Sequence, residues 1–182
     1  MARARLSLTL AALALLGLLA GCGSTPAATA SAPGFTVYPA ADRKAAPHLT
    51  GQLLTGGAFD LSQYAGEVVV VNFWASWCGD CVVEAADFEA TYQATKADKV
   101  AFIGVNTRDS HDAAVAFARG RETYPSIFDT PGKIALSFAV PPASIPSTVI
   151  IDRQGRVAAA IYGYALRNTL EPVVKQLAAE ST

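Results

Sequence analysis

The sequence is short of the residues that most directly advertise a partner. Its 182 residues hold two histidines, three cysteines and a net charge of −1 from 14 basic and 15 acidic side chains. A balance that near to neutral excludes nucleic acid or an anionic membrane surface as the main target. His48 and His111 stand alone, without ligand spacing. Neither they nor three cysteines complete a zinc site. No internal repeat is visible, and no apolar run reaches the roughly 20 residues of a spanning helix. The length suits one domain with its own core.

The longest apolar run, Leu6 to Ala20, follows Arg3 and Arg5 and covers 15 residues, the size of a signal-peptide h-region. It ends in Leu19-Ala20-Gly21-Cys22. That ending resembles a bacterial lipobox, which implies cleavage before Cys22; loss of residues 1–21 would leave 12 basic against 15 acidic residues, a net of −3. Residues 22–46 follow, rich in Ala, Pro, Ser and Thr, and read as a flexible tether with a reach of about 25–30 Å. Within them Phe35-Thr36-Val37-Tyr38 reads either as tether or as an edge strand.

Residues 47–182 change character and form the expected domain. Gly56-Gly57 separates two short apolar runs, a hairpin signal. Glu67 to Trp74 contains four consecutive valines and fits a strand buried on both faces. The spacing of Ala85, Phe88 and Tyr92 predicts a helix over Asp80 to about Ala97. A second buried strand spans Val100 to Asn106. A helix over Ser110 to Arg119 and a short one over Gly132 to Phe138 follow. A hairpin from Thr148 to Tyr162 and a last helix over Asn168 to Ala179 complete the chain. A strand–helix–strand unit followed by a hairpin implies an α/β sheet with helices on both faces.

The chemistry concentrates where the valine strand runs into the helix, at Trp77-Cys78-Gly79-Asp80-Cys81. Two cysteines separated by two residues can close a small disulfide ring. The first lies at a helix N-terminus, where unpaired N–H groups and the macrodipole favour a thiolate, the nucleophile of thiol–disulfide exchange. Cys78, further out, is expected to attack, and Cys81, one turn in, to resolve the mixed disulfide.

The stretch Val69 to Cys81 resembles the active-site segment of thioredoxin-fold proteins, and is most similar to the extracytoplasmic TlpA/ResA-like thiol–disulfide oxidoreductases. The resemblance runs from about Pro47 to Ala179. It implies an α/β thioredoxin fold, with a central mixed sheet flanked by helices and an N-terminal β-hairpin extension. It also implies that Pro146, in Ile145-Pro146-Ser147-Thr148, is a cis-proline facing the cysteines, and that the Ile145 backbone and the surface aromatic Trp77 seat a substrate peptide. Trp74 reads as core. Glu84, three residues after Cys81, matches a glutamate placed near the cysteines for proton handling, and Asn72 stands where cytoplasmic relatives keep an aspartate. A first-turn acid favoured by the helix dipole is the plainer reading of Glu84. Asn106-Thr107-Arg108-Asp109 reads as rim or loop cap.

Two positions depart from the family pattern. Asp80 replaces a common proline; with Gly79 it would tune the redox pair, its charge opposing a thiolate at Cys78. Ala86 replaces a helix-kinking proline and implies a straighter helix.

Leu19 to Cys22 resembles a bacterial lipobox, which implies a diacylglycerol on Cys22 and anchoring at the extracytoplasmic face of the cell membrane. The resemblance to the TlpA/ResA-like proteins implies that the protein reduces disulfides of exported proteins, apocytochrome c among them. Its electrons would come from a membrane or extracytoplasmic thiol donor, with no cofactor beyond the cysteine pair. A DsbA-like oxidase is the alternative. A Sco-like copper chaperone would need a wider cysteine spacing, and a peroxidase a Thr-x-x-Cys setting.

Overall fold

The computed structural model describes residues 31–180 apart from 33 and 142. The expected signal segment and Cys22 lie outside the described residues. Among the described residues nine strands and four α-helices follow in chain order: β1 (Ser31–Ala32), β2 (Phe35–Val37), β3 (Thr50–Gln52), β4 (Ala58–Asp60), β5 (Val68–Trp74), α1 (Gly79–Thr95), β6 (Val100–Thr107), α2 (His111–Ala118), β7 (Ser126–Asp129), α3 (Lys133–Ser137), β8 (Ser147–Ile151), β9 (Val157–Tyr162) and α4 (Arg167–Ala178). Seven of the strands form one mixed sheet in the order β1-β2-β9-β8-β5-β6-β7, while β3 and β4 pair with each other as the separate hairpin expected across Gly56-Gly57.

The valine run lies at the centre of the sheet. β5 pairs in parallel with β6 and antiparallel with β8, and all seven of its residues are buried. Alternation along the pleat divides the core. Val68 and Val70 meet Phe88, Phe102, Leu170 and Val174 on the α1/α4 side. Val69, Val71 and Phe73 meet Ile103, Ile127, Phe138 and the hairpin residues Leu49 and Phe59 on the other. At the end of β5 Trp74 turns into a third cluster with Cys78, Cys81, Ala85, Ala114 and Phe117, stacking on Phe117 at 4.7 Å. Gly104 is required there: a Cβ at that position would lie 2.0 Å from Ser126 Oγ and 2.7 Å from Trp74 Nε1.

Two features differ from the sequence reading. The segment between the helices expected over Ser110 to Arg119 and Gly132 to Phe138 carries a further parallel strand, β7, alongside β6. It is four residues long between two prolines, too short to show a periodicity. The tether expected over 22–46 is also shorter than its composition implies. Phe35–Val37 is a strand paired antiparallel with β9, with β1 outside it, and Ala45 bridges Arg156.

Arg43 fastens this strap. Its side chain is 3% exposed and forks onto Glu180 at 2.5 and 2.8 Å while Nη1 also reaches Asp152 at 3.2 Å. Nε donates to the Tyr38 carbonyl. Removing one member of a buried ion pair leaves the others desolvated without compensation. Asp152 keeps Arg156 at 2.8 Å and the Glu180 side chain is 34% exposed, so Arg43→Ala is expected to lower stability by about 2–3 kcal/mol in urea unfolding, less than the roughly 3–5 kcal/mol of a fully buried pair. A loss below 0.5 kcal/mol would be that of a surface pair instead.

Candidate active site

Cys78 is the N-cap of α1 and Cys81 lies in its first turn, where β5 delivers the chain from the sheet. The two sulfurs are bonded, with the Cα atoms 5.3 Å apart. Cys78 Sγ also accepts the Cys81 backbone N–H at 3.2 Å, so the first sulfur receives one of the unpaired donors of the helix start. It is 7% exposed against 2% for Cys81. The bonded state hides both, Cys81 the more deeply. Gly79 begins α1 with nothing within 4 Å of where a Cβ would stand, so no steric demand requires glycine. Asp80 is exposed in the first turn.

Glu84 sits one turn beyond Cys81 and is 2% exposed. Asn72 Nδ2, from β5, donates to its Oε1 at 2.8 Å, and the Ala165 backbone N–H donates to Oε2 at 2.8 Å. Burial raises its carboxyl to about 7, against the pull of those two bonds, with a smaller contribution from the charge of Asp80. A first-turn acid serving only the helix dipole would be solvated; this one is enclosed between helix, sheet and the segment before α4.

The Ile145–Pro146 peptide bond is cis. Pro146 is buried and Ile145 half-buried, packed against both the Phe73 and the Trp74 clusters. Pro146 precedes β8, whose Ser147 is the register partner of Phe73 near the end of β5, so the proline loop and the cysteine loop share one end of the sheet. Trp77 is 58% exposed, its indole N–H donating to the Arg108 carbonyl at 3.0 Å with the Arg108 guanidinium 5.9 Å from its ring. Val82 and Val83, 49% and 59% exposed, extend this apolar rim along α1. The valines drew no attention in the sequence because they fit a helix interior equally well.

The loop after β6 reaches further into the site than a rim would. Asp109 Oδ2 accepts the Ser76 backbone N–H at 2.6 Å and Asn106 Nδ2 at 2.9 Å. Its Oδ1 accepts Ser76 Oγ at 2.9 Å and the Ser110 N–H at 2.8 Å. The sequence could only have suggested the cap on Ser110; the bonds to Ser76 span 33 residues. His111 and His48 lie outside the site, the first with Nε2 3.2 Å from the Leu54 carbonyl, the second exposed beside Asp60. Among the described residues no group of three or more His, Cys, Asp or Glu converges to hold a metal, and no helix is long and apolar enough to cross a membrane.

Comparison with known proteins agrees with this geometry. Residues 43–160 match the AhpC/TSA family. The thiol-disulfide oxidoreductase ResA of Bacillus thuringiensis subsp. konkukian is 27% identical over 135 residues, covering 74% of this chain and 77% of its own. A secreted thiol-disulfide isomerase from Corynebacterium glutamicum superposes with a TM-score of 0.77 at 31% identity, over 85% of this chain and 99% of the other. A DsbF homologue from Corynebacterium diphtheriae does so with a TM-score of 0.74 at 30% identity, over 84% and 100%. With a bonded cysteine pair at the mouth of α1 and relatives of this kind, the protein is a thiol–disulfide oxidoreductase of the thioredoxin fold and belongs to the AhpC/TSA family.

Proposed function

We propose that the protein works at the extracytoplasmic face of the cell membrane, held by a lipid on Cys22, and reduces disulfides in exported proteins, with apocytochrome c as a substrate. The observation that carries the exchange chemistry is the Cys78–Cys81 bond at the N-terminus of α1. In the reducing direction the Cys78 thiolate attacks one sulfur of the substrate disulfide and expels the other as a thiolate, forming a mixed disulfide. Cys81 then loses its proton and attacks Cys78. The Cys78–Cys81 bond forms, the substrate leaves as a dithiol, and two electrons have passed to it. Glu84 takes up the Cys81 proton, Trp77 and the Ile145 backbone seat the substrate chain, and a membrane or extracytoplasmic dithiol returns the electrons. Cleavage after residue 21 and a tether ending near Phe35 let the domain meet membrane-bound partners.

Equilibration with glutathione buffers tests the direction. A reductase is expected nearer the roughly −270 mV of thioredoxin than the roughly −120 mV of DsbA; a value at the DsbA end would make the protein an oxidase that introduces disulfides. In the same titration Asp80→Asn is expected to raise the potential by about 10–30 mV. Losing an anion beside Cys78 favours the thiolate, and about 30 mV corresponds to 1.4 kcal/mol for a two-electron couple. Asp80→Pro is expected to shift it too. Equal potentials for all three proteins would remove Asp80 from redox tuning.

A further inference from the structure

The geometry points to Asp109 as a positioning residue for disulfide exchange: its carboxylate holds Ser76, and through Ser76 it fixes the place from which the Cys78 sulfur attacks. The inference rests on exchange at Cys78, whichever way electrons flow.

The link between β5 and α1 is four residues long, Ala75-Ser76-Trp77-Cys78, and has few bonds of its own. The Cys78 N–H reaches the Ala75 carbonyl at 3.2 Å. Everything else that holds Ser76 and Trp77 by hydrogen bonds comes from the loop after β6. Both Ser76 donors, N–H and Oγ–H, end on the Asp109 carboxylate, one on each oxygen, at 2.6 and 2.9 Å. The Trp77 indole N–H ends on the Arg108 carbonyl at 3.0 Å, from a residue held at φ 53°. Asp109 is itself oriented, by Asn106 Nδ2 at 2.9 Å and by the Ser110 N–H at 2.8 Å. Four donors therefore converge on one half-buried carboxylate. Although burial opposes it, the bonds from Asn106, Ser76 and Ser110 hold this carboxyl below its ordinary value, so the clamp stays ionised at all pH values where the thiol works.

The chemistry gives such a clamp a task. Exchange needs the attacking sulfur in line with the bond it breaks, and a misplacement of about 1 Å can cost about a hundredfold in rate. Ser76 lies two residues ahead of Cys78, so a loose Ser76 lets the N-cap of α1 wander. An asparagine at 109 would not suffice. It has one accepting oxygen for four donors; in the place of Oδ2 its NH2 would face both the Ser76 N–H and the Asn106 amide, and in the place of Oδ1 the Ser110 N–H.

The test is a double-mutant cycle on the full chain, reading the second-order rate at which the reduced protein cleaves oxidised glutathione, from pH 5.5 to 9. Asp109→Ala and Asp109→Asn are expected to lower the plateau rate about tenfold and Ser76→Ala about threefold. The double variant Asp109→Ala with Ser76→Ala is expected to be no slower than Asp109→Ala alone, because the two act through one contact. The pH midpoint of the profile should stay where it is, the plateau alone falling. Independent, multiplying effects would mean that Asp109 serves only as a cap for α2 and would overturn the inference. So would a shifted midpoint with an intact plateau, which would make its charge rather than its grip the active quantity. Should Asp109→Ala fail to fold, Ser76→Ala decides alone: an unchanged rate with an unchanged melting temperature overturns the inference. A wild-type protein that does not cleave oxidised glutathione takes down the exchange reading and this one together.

Discussion

Replacing Cys81 by serine should leave a protein that captures its substrate and cannot release it, whereas Cys78→Ser should abolish exchange by at least about a thousandfold. The asymmetry follows from the helix end. Cys78 caps α1 and its sulfur accepts the Cys81 N–H, so a thiolate there is favoured by hydrogen bond and dipole together. Cys81, 2% exposed beneath it, is placed to strike only the Cys78 sulfur. Removing the inner thiol therefore spares the attack and blocks the second displacement, and the Cys78–substrate bond accumulates. Among the sequence's three cysteines only Cys22 lies outside this pair. With Cys22 acylated, as proposed above, no further thiol competes, so every adduct that a reductant releases should map to Cys78. The measurement is a non-reducing gel followed by mass spectrometry of the trapped species. Trapping by Cys78→Ser in place of Cys81→Ser would reverse these roles, and equal trapping by the two would abolish the distinction.

The parts of this site that could be read in the sequence are those encoded locally. Four valines in a row, then Trp-Ala-Ser-Trp-Cys, specify a buried strand running into a helix N-terminus, and β5 and α1 lie within one or two residues of that reading. What could not be read depends on pairing across the chain. β2 joins the sheet through β9, more than 120 residues away, and its three residues sit in a stretch whose composition says tether. Arg43 finds Asp152 and Glu180 at separations of 109 and 137 residues. Asp109 reads locally as the residue before a helix cap, and only the parallel pairing of β5 with β6, Trp74 opposite Asn106, brings it under Ser76. Glu84 is intermediate. Its spacing from Cys81 was visible, but the Ala165 N–H that holds it comes from 81 residues on.

Stability should fall as pH rises from about 4.5 to 7, and Glu84→Gln should remove much of that slope. The carboxyl stands at about 7 in the folded protein against an ordinary 4.5, chiefly because burial penalises its charge. Between those values the native state holds a proton that the unfolded chain has released. The contribution is therefore complete below about pH 4.5, is lost progressively as pH rises, and is gone above about 7. The shift corresponds to about 3 kcal/mol. Glu122, also raised to about 7 by burial beside Ser126, adds a slope of the same sign, which is common to wild type and variant and cancels in the comparison. Glutamine keeps one accepting oxygen, and a turn of the Asn72 amide can offer its own oxygen to the new NH2 group. The variant should therefore fold, and guanidinium unfolding at pH 5 and pH 8 should show about 3 kcal/mol less difference than in wild type. The same substitution tests proton transfer. A carboxyl half-ionised near neutrality, one turn from Cys81, can accept the thiol proton, and its loss should slow release from the mixed disulfide by about a hundredfold, at the lower end for a general base, while leaving its formation at the wild-type rate. A variant with the wild-type pH slope would show that Glu84 is solvated rather than enclosed, and one with wild-type release would leave it a structural group that holds Asn72 and Ala165 together.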